Sequence, residues 1–163
     1  MVALIAVLSQ ISIPMPHGVP LTMQFFAVAL SGMILIPLHS ILCITIYITL
    51  GLLGAPVFSN FGSGIDKLIG PTGGFIFGFY LIIIFASLLK SKNKLTTIIL
   101  IFISTTLFHF IGIIQYTFVM DTDFLKSLFI ISVPYFIKDI ISFFVAWLVG
   151  IKIKINITKY HRF

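Results

Sequence analysis

Gly54-Ala-Pro-Val-Phe-Ser-Asn-Phe-Gly-Ser-Gly-Ile-Asp-Lys-Leu-Ile-Gly-Pro-Thr-Gly-Gly74 is the stretch that decides how the chain is read. It interrupts a sequence that is otherwise apolar enough to be membrane helix. Gly54, Gly62, Gly64, Gly70, Gly73 and Gly74 share it with Pro56 and Pro71. Glycine is favoured where the backbone takes positive φ or approaches another group closely, and proline fixes φ and removes a donor. A connection of this length between packed elements is uncommon unless it is functional or disordered. Val57, Phe58, Phe61, Ile65 and Leu68 give it apolar anchors, which a disordered segment lacks. The stretch is therefore expected to be an ordered lid on a membrane domain.

Composition sets the frame around the lid. Of 163 residues, 60% are hydrophobic and 9% charged, where a soluble domain has about a quarter charged. One integral membrane domain over residues 1–163 is expected. The net charge of +6 does not mark a nucleic-acid binder, because the cations stand at the ends of apolar runs and not on a polar, aromatic-interleaved face. Cys43 is the single cysteine and excludes an internal disulfide or a Cys-rich metal site. The first apolar run lacks a basic leader and reads as a mature helix.

Six helices are predicted, at about Met1–Ile13, Leu21 to before Pro37, Leu38–Leu53, Phe75–Leu89, Leu95–Met120 and Phe124–Ile151, the last interrupted at Pro134. The first is short of the ~20 residues that cross a bilayer; it reads as partly interfacial or as lacking upstream residues. Pro14–Pro20 is a turn-rich segment. Lys90, Lys92 and Lys94 fill one turn, and Lys152, Lys154, Lys159 and Arg162 follow the last helix. The positive-inside rule puts both on the cytoplasmic face. Six spans then place both termini in the cytoplasm and the lid between helices 3 and 4 outside, with Pro14–Pro20 and the turn holding Asp121 and Asp123. Removing the first helix moves only the N-terminus.

The sharpest chemical signal is Lys138-Asp139 inside an apolar helix. A charge at a helix centre in the bilayer costs about 2.5–3.5 kcal/mol on insertion scales, so such residues face a cavity or another charge. Consecutive residues point about 100° apart and make no i,i+4 pair. Asp139 is favoured as a ligand residue because it cannot snorkel far. Pro134 frees the carbonyl of residue 130 where the backbone can line a cavity. Thr22 and Gln24 at the outer start of the second helix are equally suited to capping and to ligand contact. Asn60 in the lid has an amide that donates and accepts, which suits a urea or amide; as a lone residue it is also a common turn former. Asp66 and Lys67 read as solvated. His17, His39 and His109 are too scattered for a metal site, so packing or interface hydrogen bonding is expected of them. The 18 Phe read mainly as lipid-facing or core, with a few able to wall an apolar ligand. The sequence holds no P-loop, HExxH, GxSxG or paired-carboxylate motif. Any active transport then draws its energy from another subunit or an ion gradient.

Gln10-Ile-Ser-Ile-Pro-Met-Pro-His-Gly-Val-Pro-Leu-Thr-Met-Gln-Phe-Phe-Ala-Val-Ala-Leu-Ser-Gly32 resembles the first external loop and second helix of the BioY family. Gly51-Leu-Leu-Gly-Ala-Pro-Val-Phe58 and Gly70-Pro-Thr-Gly-Gly-Phe75 resemble the flanks of its lid. The likeness runs from about Gln10 to Gly78 and returns at Pro134–Asp139. It implies a high-affinity, biotin-specific substrate-binding subunit of an energy-coupling factor transporter in the cytoplasmic membrane. That family has six helices and a pocket roofed by external loops. The resemblance also implies docking on a transmembrane coupling subunit driven by two cytoplasmic ATPases, with ATP bound only by those partners and no cofactor in this chain. Asp139 matches the acidic position of the last helix. The family's lysine three residues later is Ser142 here, and Lys138 precedes the acid instead. The expected substrate-binding set is Asp139, Lys138, Asn60, Gln24, Thr22, Thr72, Gly73 and Gly74.

Biotin suits these residues chemically. Its ureido group has two N–H donors and a carbonyl, its valerate needs a cation, and its thiophane and methylenes need aromatic walls. Lys138 is the deep cation expected for the valerate. The alternatives are a binding subunit for a different vitamin and a small membrane enzyme using Lys138 and Asp139; the second lacks any recognisable catalytic set, and a non-enzyme is expected.

Overall fold

The computed structural model describes residues 1–89 and 93–160, with side chains in the final helix as far as Asn156. Of the cations that set the expected orientation, Lys90, Lys92 and Arg162, and the side chain of Lys159, fall outside these. Helix α1 spans Val2–Gln10. A two-stranded antiparallel hairpin, β1 (Ser12–Ile13) and β2 (Leu21–Thr22), pairs Ser12 with Thr22 and Ile13 with Leu21. Then come α2 (Gln24–Ile34), α3 (Pro37–Leu52), α4 (Asp66–Ile69) and α5 (Gly73–Leu88). The chain ends with α6 (Lys94–Met120), α7 (Phe124–Ser127), a π-helical segment (Leu128–Ser132) and α8 (Val133–Tyr160).

The boundaries have local causes. Pro37 opens α3 at its first position, where a missing N–H costs nothing. Asn93 caps α6, its Oδ1 accepting from Thr96 N–H at 2.8 Å. Asp121 ends that helix in the left-handed region at φ 48°. The second helix starts at Gln24 and not near Leu21, because Leu21 and Thr22 are drawn into the hairpin.

α5 packs against α6, α2 and α3, while α2 also packs on α8. Phe108 of α6 is a hub of the core: Phe25 meets it edge-on at 5.0 Å, Phe75 lies tilted at 5.3 Å and Phe79 stacks at 5.5 Å. Outside this core the helices carry long apolar surfaces, including Leu95, Phe102, Phe118, Phe129, Ile137 and Ile141. A soluble monomer rarely exposes so much contiguous apolar area. Among the described residues, two helical stretches, Lys94–Met120 and Phe124–Asn156, are long and apolar enough to cross a membrane. Only 28% of the most apolar window of the second is buried, so most of its surface faces outward, as in a helix solvated by lipid. Three shorter apolar helices, Gln24–Ile34, Pro37–Leu52 and Gly73–Leu88, complete the bundle.

Candidate functional site

The lid is built by three side chains that reach it from the bundle. Gln10, at the end of α1, offers Nε2 to the carbonyl of Phe58 at 3.1 Å and accepts at Oε1 from Phe61 N–H at 2.8 Å. Tyr47 of α3 donates from its hydroxyl to the Val57 carbonyl at 2.9 Å. Gln115 of α6 donates to the carbonyls of Leu68 at 2.6 Å and Gly70 at 2.9 Å. A loop cannot bury its backbone without such partners. Phe58 is the apolar anchor, 1% exposed and edge-on to Tyr47 at 5.5 Å. The chain then turns sharply through Asn60 and Phe61, both at positive φ, 56° and 54°. That conformation is strained for an aromatic residue and persists only where the surroundings enforce it. Gln10 enforces it at Phe61 N–H, and Ser12 Oγ donates to Asn60 Oδ1 at 2.5 Å.

Beneath the lid lies a cleft with about 590 Å³ of space free of atoms, part of it open to solvent. Aromatic rings form much of its wall: Phe25, Phe58, Phe75, Phe79, Phe108 and Tyr135. Tyr135 donates to the Val19 carbonyl at 2.6 Å and so fastens the hairpin loop to α8.

The polar floor comes from α6 and α8. Asp139, 4% exposed, has Oδ1 2.5 Å from Lys138 Nζ and Oδ2 3.2 Å from His109 Nε2. Lys138 Nζ also donates to the Thr22 carbonyl at 3.0 Å. The helical spacing excluded an i,i+4 pair, and what forms is an i,i+1 pair: the four-carbon lysine stem bends back to its neighbour. The Lys138–Asp139 contact is an ion pair, and the His109 contact becomes one only when the imidazole is protonated; hydrogen-bonding capacity is left over at both. Among the described residues, Asp139 Oδ1 and both ring nitrogens of His109 lack a hydrogen-bond partner. Buried polar atoms in native proteins are nearly always hydrogen-bonded, so a cluster of unused ones is a place for a polar ligand.

The π-segment sets this floor in position. Pro134 cannot donate to residue 130, and its ring would crowd that carbonyl in an α-helix. The helix widens instead, with Val133 N–H bonded to the Leu128 carbonyl five residues back. Such wide turns recur at functional sites. Pro134 therefore widens the helix where an interruption was expected, and the chain stays helical through it.

Of the residues picked from sequence, Asp139, Lys138, Thr22, Gln24 and Thr72 line the cleft together. Gln24 is buried, its Nε2 donating to Tyr47 Oη at 2.7 Å. Thr22 Oγ1 accepts from Gln24 N–H at 3.3 Å. Thr72 Oγ1 donates to the Lys67 carbonyl at 3.1 Å. Asn60, Gly73 and Gly74 are not among the lining residues. Asn60 spends its amide oxygen on Ser12. Gly73 and Gly74 allow close packing: a Cβ on Gly73 would lie 1.7 Å from the Leu68 carbonyl oxygen, and one on Gly74 2.6 Å from that of Ile111. Lys67, read from sequence as solvated, lines the cleft instead. His109 and Tyr135 were not chosen as site residues, since a single histidine in an apolar helix and a tyrosine after a proline carry no motif. The one available signal for His109 was an imidazole in a membrane-length helix that had to find some partner.

These features define a class: a helical membrane protein organised around a lidded cleft. The sequence profile described as the BioY family matches residues 1–159, and the chain belongs to the BioY family. It is 35% identical over 154 residues to the biotin transporter BioY of Thermotoga maritima, covering 93% of this chain and 90% of that one. It is 33% identical over 155 residues to the probable biotin transporter BioY of Pyrococcus horikoshii, covering 95% and 92%. In fold it matches a 2.1 Å crystal structure of the S-component for biotin from an ECF-type ABC transporter. The TM-score is 0.81 at 22% identity, over 94% of this chain and 86% of that one.

Proposed function

We propose that this chain binds biotin with high affinity and serves as the substrate-specific subunit for biotin uptake across the cytoplasmic membrane. Membership of the BioY family supports the reading, and the observation that carries it is the buried Asp139–His109 cluster with unused polar atoms at the floor of an aromatic cleft. The ureido N–H groups donate to Asp139, whose carboxylate accepts more than the two contacts it already has. Lys138 keeps a further N–H, and Gln24 a second amide N–H, to offer the ureido carbonyl. The rings of Phe25, Phe75, Phe79 and Phe108 cover the thiophane and methylenes. Thr22 and Thr72 hold the hairpin and lid in register; Asn60, Gly73 and Gly74 shape the lid from outside the wall.

Uptake on this reading uses a transmembrane coupling subunit and two cytoplasmic ATPases, since the chain has no P-loop of its own. The chain crosses the plasma membrane six times, with the lid outside and the Lys94 turn and both termini inside. Titration of the purified chain with biotin, without ATP or partners, should give heat and a raised melting temperature. Biotin at ~100 times its dissociation constant adds about 2.7 kcal/mol. Heat with riboflavin or thiamine and none with biotin would move the assignment to another vitamin. For the orientation, an impermeant maleimide should label Ile65→Cys from outside and spare Asn93→Cys; Cys43 is buried and contributes little background. The reverse pattern inverts the topology.

A further inference from the structure

The cation that Lys138 was expected to supply for the ligand's acidic tail is already committed. Its ammonium touches the Asp139 carboxylate and donates to the Thr22 carbonyl. A second cation lines the same cleft from a different wall. Lys67 stands on α4 within the lid, half-buried, and among the described residues its ammonium has neither a hydrogen bond nor an ion pair. Its stem lies over Gly62: a Cβ there would come within 2.4 Å of Lys67 Cε and 3.2 Å of Nζ, so glycine leaves the lane the side chain occupies. The backbone beneath it is held on both sides. Thr72 Oγ1 bonds the Lys67 carbonyl, and Gln115 bonds the carbonyls of Leu68 and Gly70. A lysine on a fixed backbone that lines a mainly aromatic cleft with its charge unspent is suited to an anionic group bound there.

We propose that Lys67 is the residue that pairs with the ligand's carboxylate and selects acidic-tailed ligands, while Lys138 serves the floor by neutralising Asp139. This rests on the reading of the cleft as a biotin site. The neutral polar head goes to the floor at Asp139 and His109, and the anionic tail ends under the lid at Lys67. Because α4 belongs to the lid, the ion pair also ties the lid to the bound ligand. Specificity for the tail then resides in the loop, and specificity for the head resides in the helices.

The test compares biotin with its neutral primary amide, biotinamide, on the purified full chain by titration calorimetry. Wild type should prefer biotin. Lys67→Met keeps the apolar stem and removes the charge; it should lose at least about tenfold in biotin affinity while binding biotinamide as wild type does. Lys67→Arg should retain the preference for biotin, which separates lost charge from a disturbed lid. Lys138→Met should weaken both ligands by a similar factor, because it leaves Asp139 without its counter-ion. Lys67→Met with the wild-type preference intact, or Lys138→Met abolishing the preference alone, overturns the assignment to Lys67 and leaves the biotin reading standing. Wild type that binds neither ligand overturns the biotin reading, and this assignment with it.

Discussion

The lid and the floor of the cleft treat their polar groups in opposite ways. In the lid, irregular backbone is bonded at many points by neutral side chains from α1, α3 and α6: Gln10, Tyr47 and Gln115 between them hold carbonyls or amides of Val57, Phe58, Phe61, Leu68 and Gly70. On the floor, a carboxylate, an ammonium and an imidazole lie within ion-pair distance while hydrogen-bonding atoms stay unused. Saturated hydrogen bonding fixes shape, and unused capacity inside a low-dielectric site is available for recognition. The lid's backbone is thus scaffold, and the floor is where a polar ligand gains most.

That contrast can be broken at four points. The largest effect is expected at the floor. Asp139→Ala should weaken biotin by about 10- to 100-fold, since a charge-assisted hydrogen bond contributes ~1.5–3 kcal/mol and the ligand's donor is left unpaired. Calorimetry on a variant with a normal melting curve checks this; wild-type affinity would move Asp139 out of the site. Next comes the lid's central fastener. Gln10→Ala strands the Phe58 carbonyl and the Phe61 amide and should cost about 1–3 kcal/mol of stability. Limited proteolysis should then cut first between residues 57 and 64; an unchanged digestion pattern would mean the lid is held by packing alone. Tyr47→Phe removes one hydroxyl that serves both Val57 and Gln24, and about 1 kcal/mol should go with it in a thermal melt. The smallest effect is expected at Asn60→Gly. Glycine adopts a φ of 56° at no steric cost, so biotin affinity should stay within about twofold of wild type. A larger loss would show the Asn60 amide touching ligand after all.

How much of this was legible in the sequence differs between the same two regions. The helices were readable because apolar runs, Pro37 and the Asn93 cap announce themselves locally, and the lid was readable as a loop from its glycines and prolines. Asp139 stood out because a carboxylate in an apolar helix needs a reason to be there. What fastens the lid was not readable. Gln10 and Gln115 sit in apolar stretches as ordinary polar residues, and only the folded chain brings Gln10 to Phe58 and Gln115 to Leu68. The small hairpin escaped for a related reason: Ser12–Ile13 and Leu21–Thr22 are too short to show a period of two, and pairing across the Pro14–Pro20 turn defines them. Lys67 and His109 illustrate the same limit, since a residue's partners across the fold leave no trace at its own position.

The wide turn before Pro134 acts as a phase shift. One extra residue within a helical turn rotates everything downstream by roughly 100° relative to an uninterrupted α-helix. The last helix is therefore two stretches running out of step, and Asp139 and Lys138 belong to the second. Their aim into the bundle is set by a spacing upstream. Removing Leu128, which does not line the cleft, would swing the charged pair toward a different neighbour while leaving every lining side chain unaltered in kind. The address of the acid is thus written as a residue count, and it is a count that a one-codon deletion can change.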